Sequence, residues 1–184
     1  MKLTVKQLCL CSLFSALIAL GAFLKITIPL NPVTMHFTLQ WLFVLLASLL
    51  LENRTGSYSV GIYLSMGLLG VPIFAAGGGP GYIMRPTFGF LLGFYIASII
   101  MDILVQWFKE TPIQLTIISI IGLLVYYATG ILYYYFMQNY ILHIPVVWQL
   151  AIINCCMTLI PDFILCICAV MITLRIKPHL KGHL

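Results

Sequence analysis

The chain has 184 residues, 62% hydrophobic and 7% charged, against about 25% charged in a typical soluble domain. No water-soluble fold covers that much apolar surface, so the composition excludes a cytosolic globular protein and points to an all-α integral membrane protein in a lipid bilayer. The formal net charge of +5 does not signal a nucleic-acid partner, because the cations cluster at the ends of apolar runs, as the positive-inside rule expects.

The first apolar run spans 8–28 and is long enough to cross a hydrocarbon core of roughly 30 Å at about 1.5 Å per residue. Its length, and the lack of a small-residue cleavage site, argue against a cleavable signal peptide. Ser12, Ser15, Ala16, Ala19 and Ala22 recur at spacings of three and four, a stripe that lets another helix approach closely. Lys25 stands near its far end, where it can snorkel outward. Pro29 and Pro32 break the chain, and a second span is expected over 34–51, ending at the polar turn Glu52-Asn53-Arg54-Thr55-Gly56. A short third span covers 58–71. The fourth covers 87–107 and stops before Lys109-Glu110-Thr111-Pro112; the fifth covers 113–137; the sixth covers 146–173 with Pro161 in its middle. A basic tail follows.

These six spans make one transmembrane domain over residues 1–184, with a structured Gly/Pro-rich loop between helices 3 and 4. An even span count puts both termini on one side. Lys2, Lys6, Arg54, Lys109, Arg175, Lys177 and Lys181 fall on that side, against Lys25 and Arg85 on the other. The asymmetry predicts cytoplasmic termini in the cell membrane and a loop facing outward.

That loop carries Pro72, Gly77-Gly78-Gly79-Pro80-Gly81, Arg85 and Pro86. Such backbone cannot continue a helix, and near a bilayer it is tolerated only where protein or a water-filled cavity satisfies it. On an ordered backbone, the planar fork of Arg85 can engage a carboxylate bidentately. Asp162, at lipid depth, costs about 2.5–3.5 kcal/mol to insert and calls for a functional or paired role. Asn154 and Thr158 precede it by eight and four residues on one broad helical face, offering an amide and acceptors to a polar ligand or joining helices. Gln40, alone among apolar neighbours, has the same two readings. The tyrosines at 126, 127, 133, 134 and 135 read as interface belts or packing. Asp102 and Glu110 are accounted for by solvent or Lys109. The six cysteines read as apolar filler, and the four histidines show no metal spacing. There is no phosphate-binding loop, no His-Glu-x-x-His pair and no serine elbow, so no catalytic residue, metal or cofactor is expected and the chain reads as a binder rather than an enzyme.

The run Phe37-Thr38-Leu39-Gln40-Trp41-Leu42-Phe43, then Gly70-Val71-Pro72-Ile73-Phe74, then Gly77-Gly78-Gly79 with Gly81-Tyr82, then Pro86-Thr87-Phe88-Gly89-Phe90-Leu91-Leu92-Gly93-Phe94, resembles the BioY family. These are the biotin-binding S components of energy-coupling factor transporters. The resemblance implies a six-helix bundle that captures biotin near its outer face for ATP-driven uptake by a transmembrane coupling protein and two ATPases. It implies that Ser12, Ser15, Ala16 and Ala19 of the first helix dock on that module. The residues themselves agree with such a ligand: biotin's ureido ring, apolar thioether ring and carboxylate match Asp162 with Asn154, the aromatic walls, and Arg85 respectively, and Gln40, Tyr82 and Gly79 are expected as further contacts.

One position departs. Where the family carries a lysine three residues after the sixth-helix aspartate, this chain has Leu165. Either Arg85 supplies the counter-charge, or Asp162 is protonated, or the ligand is not biotin. The competing readings are an S component for another small carboxylate such as lipoate or a biotin precursor, an intramembrane lipid-acting enzyme with Asp162 as general base, and a self-sufficient channel or carrier.

Overall fold

The computed structural model describes residues 4–29, 34–108 and 111–180. Lys2, Pro32, Lys109, Glu110, Lys181 and His183, used above, lie outside them. Helix α1 covers Val5–Phe23 and opens on a capping box in which Thr4 and Gln7 satisfy each other's backbone N–H groups. The strands β1 (Lys25–Pro29) and β2 (Thr34–Thr38) then pair antiparallel, with Lys25 opposite Thr38. Helices α2 (Gln40–Leu50), α3 (Thr55–Leu68), α4 (Phe88–Trp107) and α5 (Pro112–Phe136) follow. A π-turn over Met137–Ile141 extends α5, and α6 (Trp148–Cys156) and α7 (Leu159–Leu180) complete the chain. Among the described residues, four helical stretches are long and apolar enough to cross a membrane: Val5–Phe23, Phe88–Trp107, Pro112–Ile141 and Leu159–His179.

Three expected spans differ from what the structure shows; the first, expected over 8–28, is helical only to Phe23, and its last residues form β1. The run expected as helix over 34–51 begins as β2, because residues 25–28 and 34–38 are rich in β-branched and aromatic types that fit a pleated surface. Only Gln40–Leu50 is helical, so α2 is about 16 Å long at ~1.5 Å per residue, roughly half a bilayer core. It packs against α1, α3, α4 and α7, and nine of its 11 residues are buried. The sixth expected span divides at Met157–Thr158 into α6 and α7. Pro161 has no N–H to offer the carbonyl of Met157, and its ring clashes with that carbonyl. The helix therefore restarts at Leu159, with Pro161 in the first turn, where its missing donor costs nothing.

Charges close the helix ends away from the glycine-rich loop. The last carbonyls of α2 need partners from outside the helix and carry the negative end of its dipole. Buried Lys177 of α7 donates from Nζ to Leu49 O at 2.8 Å. Arg54, at the start of α3, supplies no side-chain cap, and Asp102 of α4 supplies one instead, accepting from Ser57 N at 2.7 Å. Asp102 is 4% exposed, which corrects the expectation that solvent or Lys109 accounts for it. Asp102→Ala is expected to lower stability by about 1–2 kcal/mol, the scale of a lost helix cap, read as a reduced melting temperature in detergent. An unchanged melting temperature would rule out a capping role.

Between α3 and α4 the glycine-rich segment forms an ordered flap. Gly79, at φ +99°, donates its N–H to Gly67 O at 2.7 Å, and a 3-10 turn over Pro80–Met84 follows. Aromatic rings run under it from Tyr63 through Phe74, Tyr82 and Phe88 to Tyr133. Tyr133 Oη donates to Ile83 O at 2.6 Å. Lys25 Nζ donates to Ala75 O, so this lysine does not close a membrane helix and snorkel as expected; it ties β1 to the flap. Beside the flap, α4 and α5 cross closely. A Cβ on Gly93 would lie 2.7 Å from Tyr126 O, so only glycine lets the backbone carrying Tyr126 come this near.

Candidate ligand-binding chamber

Under the flap, where α2 stops short, the bundle encloses a chamber. β2 contributes His36 and Thr38, α2 contributes Gln40, and the flap contributes Ala75 and Tyr82. Thr87 before α4, Phe90, Leu91 and Phe94 of α4, Tyr126 of α5 and Thr158 at the α6–α7 break form the rest of the wall. Its cavity volume is about 50 Å³, well below the roughly 300–1,000 Å³ of a small-molecule site. Side chains or the flap must therefore shift to admit a drug-sized ligand.

The apolar wall is a slab of stacked rings. Trp41, Phe94 and Tyr126 form a triangle of near-parallel rings, with Tyr126 4.9 Å from Trp41 and 4.8 Å from Phe94, and Trp41 5.8 Å from Phe94. Trp41 is 1% exposed and is anchored by its indole N–H, which donates to Cys166 Sγ at 3.4 Å. Of the two readings of the fifth-helix tyrosines, belt or packing, packing holds for Tyr126, Tyr127 and Tyr134, which are buried inside. Nor are the cysteines mere filler: Cys166 serves as an acceptor, Cys11 donates to Thr55 O, and Cys9 is exposed.

The polar groups sit at two depths. Deep in the bundle, Tyr127 Oη donates to Asp162 Oδ2 at 2.7 Å and lies 2.9 Å from Thr158 Oγ1. Asp162 is 2% exposed, and among the described residues no cation lies against it. Asn154, about one turn before Thr158, is buried with Nδ2 lacking a partner. Nearer the flap, Gln40 Oε1 accepts from Thr38 Oγ1 at 3.2 Å and Nε2 donates to Tyr63 Oη at 2.6 Å. The Tyr63 hydroxyl in turn donates to Ile73 O of the flap at 3.2 Å. Gln40 thus joins helix to flap and still keeps one Nε2 hydrogen uncommitted.

The rim is cationic. Burial holds the imidazole of His36 below its ordinary proton affinity, and the charges of Lys25 and Arg85 lower it further. His36 therefore sits neutral, a donor or acceptor rather than a third cation, with Nδ1 3.2 Å from Thr27 Oγ1. Burial pushes the Tyr82 phenol up, and the guanidinium of Arg85, 5.2 Å over its ring, offsets part of that rise.

Among the expected site residues, Gln40 and Tyr82 line the chamber. Asp162 is joined to it through Tyr127 and Thr158. Arg85 is exposed and stands on the flap above Tyr82, so it is not the counter-charge of Asp162. Gly79 shapes the flap backbone and does not line the wall. On α1, Ser12 and Ala16 are exposed and Ala19 half-buried, but Ser15 is buried and donates to Ser59 O at 2.6 Å. Ser15 packs α1 onto α3 and is not free to dock. Sequence reasoning missed His36 and Phe94 as chamber residues, and Trp41, Tyr127 and Lys25 as the groups that hold the wall, the deep polar pair and the flap behind them. The only prior signal was that aromatic and polar types stood there.

A helical membrane bundle with an aromatic slab, buried polar groups and a cationic rim beneath an ordered flap defines a membrane-embedded protein built to enclose a small polar molecule. The model of the BioY family matches residues 1–182. The "Probable biotin transporter BioY" of Lysinibacillus sphaericus is 36% identical over 172 residues, covering 92% of this chain and 86% of that protein. The "Biotin transporter BioY" of Thermotoga maritima is 32% identical over 184 residues, covering 94% and 96%. A crystal structure at 2.1 Å of the S-component for biotin from an ECF-type ABC transporter superposes with a TM-score of 0.82, covering 96% of this chain and 95% of that one. At 23% identity that likeness speaks to the fold. The chain belongs to the BioY family, and it is a multi-pass membrane protein.

Proposed function

We propose that this protein is the substrate-binding S component of an energy-coupling factor importer and that its ligand is biotin. One observation supports the reading: Thr158 on the chamber wall is backed through Tyr127 by Asp162, stacked rings flank the same chamber, and Lys25 and Arg85 stand near His36 at its rim. Biotin matches them in that order, with ureido N–H groups, an apolar thioether ring and a carboxylate. Asp162 and Asn154 take the ureido end, Gln40 and Tyr82 flank the ring system, and Arg85 with Lys25 attracts the carboxylate. The chain acts as a carrier subunit, not an enzyme.

In this reading the chain crosses six times, with α6 and α7 forming one crossing broken beside the ligand, the discontinuous geometry that places backbone groups at a binding site. Both termini are cytoplasmic and the flap faces outward. The chain carries no phosphate-binding loop, so a coupling protein and two ATPases supply the energy. Ser12, Ala16 and Ala19 of α1 form the face that meets the coupling protein.

Mass spectrometry of the small molecule that copurifies with the detergent-solubilised protein tests the ligand, followed by calorimetric titration with biotin in competition with lipoate. Biotin should be found and lipoate should not compete; the reverse would reassign the substrate. Because the chamber is smaller than a vitamin needs, the flap must open to admit one and close over it. Hydrogen exchange of residues 69–87 should therefore slow on adding biotin, and unchanged protection would show that this segment is not a lid.

A further inference from the structure

We propose that Tyr127 is a positioning residue. Its phenol holds Asp162 and fixes the polarity of the chamber's deep wall, so that this wall takes the N–H donors of a ligand. The proposal rests on Asp162 and Thr158 meeting the ligand.

We take Asp162 as ionised, its charge met by the Tyr127 hydroxyl and by the ligand's N–H groups in place of a cation; the phenol then has one proton and the carboxylate has none. The 2.7 Å contact to Asp162 Oδ2 uses the Tyr127 proton. The 2.9 Å contact to Thr158 Oγ1 must then be made by the Thr158 proton, donated to Tyr127 Oη. With its only hydrogen turned away, Thr158 presents lone pairs to the chamber it lines, and Asp162 likewise offers only acceptors. Two acceptors one helical turn apart, at i and i+4 on the same face, suit a ligand with adjacent N–H groups and oppose one that presents carbonyls there.

The ring itself is clamped. Tyr126 packs edge-on at 4.9 Å and 75°, and Phe90 at 6.1 Å and 82°, while Tyr127 is buried. The hydroxyl therefore cannot swing away to solvent. Asp162 is buried with no cation against it among the described residues, so this phenol is the group that keeps its carboxylate aimed.

The test uses the full chain in detergent and biotin as the probe. Tyr127→Phe removes one oxygen and leaves the ring packing, so the melting temperature should move little while biotin affinity falls at least tenfold. Leu165, three residues after Asp162 on the same face of α7, can carry a replacement donor. Leu165→Lys in the Tyr127→Phe background should regain at least threefold, and Leu165→Gln serves as the second donor if the lysine variant does not fold. Wild-type affinity in Tyr127→Phe overturns the proposal, as does loss without regain in a folded double variant, which would make the effect general disruption. Asp162→Ala separates the levels: if it binds biotin normally, the site reading beneath the proposal has failed; if it loses binding while Tyr127→Phe does not, only the positioning role has.

Discussion

Asp162→Ala is expected to weaken biotin binding by about tenfold to a hundredfold, measured by titration of the purified protein. A hydrogen bond to a charged group contributes about 1.5–3 kcal/mol, and each 1.4 kcal/mol is about tenfold in affinity. The carboxylate is buried at the α6–α7 break, where burying it costs free energy that the fold must recover elsewhere. Tyr127 recovers part of that through one oxygen, and a ligand N–H would recover more. Removing the side chain also leaves the Tyr127 hydroxyl without its acceptor, so the melting temperature should drop modestly. Asp162→Asn keeps an oxygen for Tyr127 and should lie between alanine and wild type. Wild-type affinity in the alanine variant would leave Asp162 as a joint between α5 and α7.

Trp41→Ala should cost about 3 kcal/mol of stability and abolish measurable binding, seen together in thermal melting and titration. Truncating a buried aromatic in a soluble core costs about 3–5 kcal/mol. The lower end applies here because lipid is as apolar as the core, so the hydrophobic transfer contribution falls away and lost contacts remain. Trp41 stacks on Tyr126 and holds Cys166, so its loss frees both the chamber wall and the α2–α7 contact. Trp41→Phe retains a stacking ring and forfeits the indole donor; its stability loss should stay near 1 kcal/mol, one neutral hydrogen bond. If alanine binds biotin as well as wild type, the ring slab is packing and not a wall.

Much of the fold was legible because the signals are local. Long apolar runs mark α1, α4 and α5 within a few residues, and the Pro and Gly cluster marks the flap. The β-hairpin was legible only as a short polar–apolar alternation over Lys25-Ile26-Thr27-Ile28 and Thr34-Met35-His36-Phe37-Thr38, easily lost because each stretch abuts a longer apolar run. Pro161 was visible, but whether a proline kinks a helix or restarts it depends on what packs there. Asp162 stood out as an acid among apolar residues, whereas its partner Tyr127 was one tyrosine among many.

The amino-acid sequence by itself determined that this protein lives in a membrane, roughly where its long helices lie, that a structured flap separates α3 from α4, and that Asp162 is an acid at lipid depth. Tertiary structure alone decided which faces turn inward. A membrane helix is apolar on every side, so no periodic pattern separates the rings that wall the chamber from those that meet lipid. The same holds for charges whose partners are far along the chain. Lys25 could be assigned to the flap, Asp102 to the start of α3 and Lys177 to the end of α2 only once packing had brought those ends together.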